Sequence, residues 1–422
     1  MNSIENVNHN IKRELKPVSK NNLLNKIMYK SHKNCSETIK RRINDIILSL
    51  LIKDNEAVKK YSFEGLPDEM PLLRSLVWKI NMKYLSINLE KWDDYLVKKR
   101  ADYSDLKDAF LNKLKFEYQA LLDNKNDMIN LSDLKLIEYI EKDIKRTHVY
   151  MNFFFMPSKK SVNVSNEEIA KNMEKRKENF NGVNIEDIYK KNHNEWETNA
   201  DVMGRILYIY AKLNSDIGYV QGMNEILAPI YYCFFSEEEN SLIYPGMDDI
   251  DIQKEHDYQF IVDVEADAFW TFSSLMEDLK LLYIKDKDKE SGGIFDKLST
   301  LSEMLKIVDK DLFNHFHKIK LDVQLFAFKW VVLLFTQDFN MPDILRLWDA
   351  ILSENNRFYM IFLLCLSILK LKRKELLKAD FSISINILSK IGNVDCEIVL
   401  KTSIDIRTKY EKKLLKLLSN SK

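Results

Sequence analysis

The sequence predicts an all-α fold, and three observations carry that prediction. Nine glycines and seven prolines in 422 residues leave few places for tight turns, so the elements must be long. Apolar residues recur at i, i+3 and i+4 through most of the chain, the spacing that lines one face of a helix. Alternation with a period of two, the mark of a half-buried strand, lasts nowhere for more than a few residues.

The elements follow in order. From Leu23 to Leu51 the apolar residues keep helical spacing until Lys53-Asp54-Asn55 breaks it, so residues 1–60 read as a helical lead-in with a partly disordered start. Gly65-Leu66-Pro67 is a turn, after which Leu72, Leu73, Leu76, Val77 and Ile80 make an apolar stripe with Arg74 beside it. Tyr103 to Leu122 and Leu131 to Arg146 read as amphipathic helices. Residues 157–194 turn polar and rich in Lys, Asn and Glu, which predicts a partly disordered insertion within an amino-terminal subdomain over 61–240. Val202 to Leu213 is helical, Gly218 interrupts, and a helix runs from about Met223 to Phe234. An acidic loop over 241–262 then separates this half from a carboxy-terminal helical subdomain over 263–422. Helices are expected there over Glu265 to Leu282, Leu301 to Ile319, Val323 to Thr336 and Pro342 to Leu352, and onward to about Leu418. Val323 to Phe335, with Phe326, Phe328 and Trp330, is apolar nearly all round, which predicts a central position. Asn340 and Pro342 give the helix after it a normal start.

Bulk properties narrow the function. The length allows two or three compact units, and 45% apolar with 30% charged residues is a globular composition. Lys and Arg number 64 against 64 Asp and Glu, a balance that argues against a nucleic-acid partner. Residues 1–60 carry 13 basic against 6 acidic side chains, and 237–267 is acidic with Lys254 as its only Lys or Arg. Both read as solvated segments, the alternative for the basic start being contact with an anionic membrane surface. Cys35, Cys233, Cys365 and Cys396 share no C-x-x-C spacing, so neither zinc nor a disulfide framework is expected and a reducing compartment fits. No metal-ligand spacing or Ser-His-Asp pattern occurs among the histidines. The amino end lacks the apolar core of a secretory signal, and Asn2 stands where myristoylation needs glycine. The longest largely apolar run, Phe358 to Leu369, is 12 residues, too short for a transmembrane segment. A cytoplasmic chain follows, at most peripheral on membranes through a partner.

Two short stretches carry chemistry. In Ile140-x-x-Asp143-x-x-Arg146-Thr147, Ile140 and Ile144 share a buried face, and Asp143 and Arg146, three apart, are expected on the same exposed side. An Asp one turn back could hold the base of the loop and orient the guanidinium. On spacing alone this stretch reads first as a charged solvent face with Glu141–Lys145 pairing, and only the second motif turns that reading over. In Tyr219-Val220-Gln221-Gly222-Met223, Gln221 offers an amide that can accept from a water and donate to an oxyanion. Gly222 lets backbone approach closely, and Tyr219 offers a flat surface to a partner loop. An arginine and a glutamine are the pair that accelerated GTP hydrolysis needs, yet the chain has no phosphate-binding loop of its own. Both make sense together if they act in trans. His148, beside the first motif, reads as a surface or capping residue and receives no role.

With Gly65-Leu66-Pro67, Leu73-Arg74-x-x-x-Trp78-Lys79 and Leu345-Arg346-Leu347-Trp348-Asp349, these motifs resemble the TBC-domain family of Rab GTPase-activating proteins. The resemblance runs from about Gly65 to at least Asp349. It implies two helical subdomains around a concave groove that binds a GTP-loaded Rab in vesicle traffic. Arg146 and Gln221 would be the catalytic fingers, with Asp143, Tyr219 and Gly222 supporting, and the Rab's own glutamine would be dispensable. The chain would be an activator, not the hydrolase, with no cofactor of its own, since GTP and Mg²⁺ belong to the Rab. Arg74 and Trp78 would be scaffolding of the amino-terminal half, and Trp348 and Asp349 packing and helix-end residues. The insertion, and the segment Thr147-His148-Val149-Tyr150-Met151 without the proline many members have there, depart from the family pattern. The alternative is a catalytically inactive TBC-like module that binds a Rab or scaffolds other proteins.

Overall fold

A computed structural model describes residues 35–122, 132–158, 197–242, 263–284, 290, 292–391 and 394–420. The expectations for most of the insertion, nearly all of the acidic loop and the first 34 residues fall outside these. The described helices are α1 (Glu37–Leu51), α2 (Asn55–Phe63), α3 (Pro71–Asn81), α4 (Trp92–Leu122), α5 (Ser132–Ile144), α6 (Asn199–Leu213), α7 (Met223–Leu242), α8 (Val264–Leu279), α9 (Ile294–Val308), α10 (Lys310–Lys318), α11 (Gln324–Val332), α12 (Met341–Ser353), α13 (Arg357–Leu371), α14 (Arg373–Leu376), α15 (Phe381–Ser389) and α16 (Cys396–Asn420). Among the described residues there is no β-strand, only an isolated antiparallel bridge between Pro157 and Thr198. None of these helices is long and apolar enough to cross a membrane.

Local sequence explains most boundaries. Thr198 accepts from the Asp201 backbone and Asp201 accepts from the Thr198 backbone, a reciprocal cap that opens α6. Asn340 accepts from the Asp343 N–H at 3.1 Å, and Pro342 sits in the first turn of α12. Asp309 ends α9 and caps α10, so the single helix expected over Leu301 to Ile319 is two. α11 also departs from expectation. It stops at Val332, and Leu334 and Phe335 turn to positive φ, 49° and 65°. Nor is it buried all round: Trp330 is fully enclosed, but Leu325 and Phe328 are 58% and 46% exposed. The apolar sequence could not reveal this, because an even coat of apolar residues gives no preferred face.

Two sets of helices meet at α12. In the first half, α7 packs against α3, α6 and α8, while α5 packs on α6 and α4 on α8. In the second, α13 packs against α11, α12 and α16, and α9 against α10, α11 and α16. α12 touches α2, α3 and α7 on one side and α13 and α16 on the other.

The joint is a fully buried carboxylate. Asp349, in the interior of α12, takes the Arg74 Nε at 3.2 Å and the Trp78 Nε1 at 2.7 Å, and its second oxygen takes the Leu66 N–H at 2.9 Å. Arg74 also donates to the Leu66 carbonyl and to Asp68, each at 2.6 Å. The Trp78 and Trp348 rings lie 5.7 Å apart, and Trp348 Nε1 donates to the Leu334 carbonyl at 3.0 Å. Two expectations are corrected here. Asp349 is an interior residue, not a helix-end one, and Arg74 and Trp78 bridge to α12 and do more than brace their own half. Neither was visible locally, since the partners lie more than 270 residues apart in sequence.

Candidate functional site

A groove of about 350 Å³ opens between the end of α5, the loop into α7 and the exposed side of α11. Its lining includes Asp143, Arg146, Gln221, Asn224, Glu225 and Phe328. Arg146 and Gln221, seventy-five positions apart, are therefore brought to one cavity, and both side chains are exposed. Among the described residues no ion pair or side-chain hydrogen bond engages either tip.

The first of them stands on a helix end. α5 ends at Ile144, two residues sooner than the apolar spacing suggested, and a turn continues through Arg146, whose N–H donates to the Asp143 carbonyl at 3.0 Å. The expectation that Asp143 shares Arg146's exposed side is wrong, because Asp143 is buried. Its Oδ2 accepts from the Tyr219 hydroxyl at 2.9 Å. Burial raises the Asp143 carboxyl above the usual carboxylate range, while the Tyr219 bond and the positive charge of Arg146 hold it down. The aspartate thus feels the guanidinium electrostatically from inside the protein.

The second stands on a glycine turn. Gly222 has φ +104°, a backbone region that disfavours side chains, and a Cβ there would come within 2.7 Å of Leu333 Cδ2. This turn throws Gln221 outward just before α7 begins. Tyr219 does not offer its face to a partner as expected. It is buried, its hydroxyl turned to Asp143 and its ring 5.5 Å from Tyr139, edge to face.

Three residues of this site were not found by sequence reasoning. Asn224 is buried and bonds to both segments, and no motif logic singles out an asparagine in an apolar helix start. Glu225 is buried at the groove, and burial pushes its carboxyl up to about 7. His148, read as a surface or capping residue, is buried, at φ 42°, with its Nε2 3.5 Å from Glu225. Burial pushes its imidazole down to about 4, so it is neutral at pH 7. The one local signal was Glu225 in an otherwise apolar stretch, since a carboxylate there must be either partnered or functional.

The residues that match the Rab-GTPase-TBC domain family are 157–377; they include Gln221, Trp348 and Asp349, and Arg146 lies ahead of them. TBC1 domain family member 13 of Mus musculus is 31% identical over 390 residues, covering 82% of this chain and 92% of its own. GTPase-activating protein GYP1 of Saccharomyces cerevisiae is 26% identical over 320 residues, covering 75% of this chain and 40% of its own. Among solved structures, the Ypt/Rab-GAP domain of Gyp1p shares the fold with a TM-score of 0.62 at 23% identity, covering 89% of this chain and 99% of its own.

Proposed function

Since this chain belongs to the Rab-GTPase-TBC domain family, we propose that it is a GTPase-activating protein for a Rab-type small GTPase and acts with two side chains in trans. The partner carries the GTP and its Mg²⁺. Negative charge builds on the phosphate oxygens as the γ-phosphoryl group departs, and water attacks poorly unless it is held. Arg146 enters the partner's site and offsets that charge. Its planar fork meets two oxygens at once, which a lysine cannot do. Gln221 orients the attacking water. Asp143 and Tyr219 hold the arginine's turn, and Gly222 allows the glutamine's. The chain activates a hydrolase and is not one itself, and its place on cytoplasmic endomembranes, in vesicle traffic, comes from the Rab.

One observation carries the reading: two exposed tips of the required types share one groove while the groups that frame them are buried and bonded. Among the described residues neither the guanidinium nor the amide has a hydrogen bond of its own, an arrangement that suits a partner that arrives. An arginine of this kind contributes roughly 10³–10⁵ in rate, about 4–7 kcal/mol.

Phosphate release from a panel of GTP-loaded Rabs tests it. Arg146→Ala should lower the acceleration by about 10³-fold or more, with Arg146→Lys recovering little and Gln221→Ala also impaired. A Rab whose own switch glutamine is replaced should still respond. Acceleration that survives intact in Arg146→Ala would leave only a binding or scaffolding module.

A further inference from the structure

The two segments that present Arg146 and Gln221 belong to different helices, so something must fix the distance between them. We infer that Asn224 is the positioning residue that does so, an inference resting on the two-finger reading above. Asn224 is buried, and its amide joins both segments. Nδ2 donates to Thr147 Oγ1 at 2.8 Å and to the Asp143 carbonyl at 3.4 Å. Oδ1 accepts from the Gly222 N–H at 3.1 Å and lies 3.2 Å from the Tyr219 hydroxyl. Asp143 and Thr147 bracket Arg146, and Tyr219 and Gly222 bracket Gln221. One side chain therefore ties the backbone just before Arg146 to the backbone just after Gln221 and takes in the Thr147 side chain as well.

The orientation of the amide is set by its neighbours. A backbone N–H can only donate and a backbone carbonyl can only accept, so the oxygen must face Gly222 and the nitrogen Asp143. Thr147 Oγ1 gives its own hydrogen to the Asp143 carbonyl at 3.1 Å, which leaves its lone pairs for Asn224. The Tyr219 hydrogen goes to Asp143 at 2.9 Å, the shorter of its two contacts. Few other side chains fit. Aspartate has no donor for Thr147 and would set a second carboxylate beside Asp143, leucine has neither donor nor acceptor, and glutamine is one methylene too long for the space.

The consequence is kinetic. Fingers placed ahead of docking need no reorganisation during the reaction, and a misplacement near 1 Å costs on the order of 10²-fold in rate. Asn224 is buried and its amide is engaged within the protein, so its loss should act on turnover and leave partner affinity alone.

The test compares the full chain with Asn224→Ala, Thr147→Val and Thr147→Ser on one responsive Rab. Single-turnover rates are read beside the affinity for the same Rab loaded with a non-hydrolysable GTP analogue. Expected is a fall in maximal rate of roughly 100-fold for Asn224→Ala, a smaller fall for Thr147→Val and recovery in Thr147→Ser, with affinity unchanged. Wild-type rates in both Asn224→Ala and Thr147→Val would overturn the inference and leave the two-finger reading standing. So would weakened affinity together with a lowered melting temperature in Asn224→Ala and no rate defect in Thr147→Val, since that pattern marks a structural residue. A wild-type chain that accelerates no Rab in the panel would overturn the reading beneath it, and the inference with it.

Discussion

Two arginines in this chain each follow an aspartate interaction to opposite ends. Arg74 is buried, donates to Asp349, Asp68 and the Leu66 carbonyl, and holds a charge above its ordinary basicity because Asp349 overrides the effect of burial. Arg146 is exposed at the groove, while the Asp143 near it is bonded to Tyr219 instead. In the first region Arg74, Trp78 and Asp349 are all enclosed by their own protein, and what results is a joint between helices. In the second only the frame is enclosed and the tips are left for something else. Residue type is the same in both. What differs is where the hydrogen bonds close, and that separates a structural arginine from one available for chemistry.

Exchanging readouts between the regions is the most forceful way to break the contrast. Asp349→Ala leaves the buried Arg74 charge without its buried counter-ion, only the exposed Asp68 remaining, and removal of one member of such a pair costs about 3–5 kcal/mol. Chemical denaturation should show that loss, whereas Arg146→Ala should leave the denaturation midpoint where it was and lose acceleration. A midpoint shift in Arg146→Ala as large as that in Asp349→Ala would show both arginines to be structural. The next effect is smaller. Gly222→Ala must hold a side chain at φ +104° and push Leu333 aside, so it should destabilise by about 1–3 kcal/mol. Because Leu333 lines the groove, activity should fall as well; a variant as stable and active as wild type would deny that this turn is needed.

The last effect is a pH dependence. Burial lifts the Glu225 carboxyl from an ordinary 4.5 to about 7, so the folded chain keeps a proton that the unfolded chain has released. That contribution to stability is complete below pH 4.5 and is lost as pH rises through about 7. His148 runs the other way: held down to about 4, it adds stability above its ordinary 6.5 that is lost as pH falls through 4. His148 stays neutral in the folded chain above about pH 5, so from there to about pH 8 a comparison of Glu225→Gln with wild type reads the glutamate. The variant should gain melting temperature relative to wild type between about pH 5 and pH 8. A difference that stays flat across that range would mean that Glu225 titrates normally and the groove is not as dry as its burial implies.

Helices in this chain were legible because their signal is local. The stripe Leu72, Leu73, Leu76, Val77, Ile80 needs only its own spacing to declare a face, and it is buried in α3 as that spacing says. The identities of Arg146 and Gln221 were legible for a similar reason, since two chemically matched side chains in short recognisable motifs need no partner to be noticed. α11 shows the limit: its sequence marked no side as outer, and only packing against α13, α9 and α15 left Leu325 and Phe328 uncovered.

By itself, then, the sequence determined the helical class, some helix starts, such as those of α5, α7 and α12, and the two side chains worth watching. The tertiary structure alone decided which polar groups are inside: Asp143 under Tyr219, Asn224 between the segments that carry Arg146 and Gln221, Asp349 between Arg74 and Trp78, Glu225 against His148. The physical reason is that helical periodicity depends on neighbours three and four residues away, whereas a buried polar group is stable chiefly when its hydrogen bonds close, and for Asp143, Asn224 and Asp349 the closing partners include residues 76, 77 and 275 positions away.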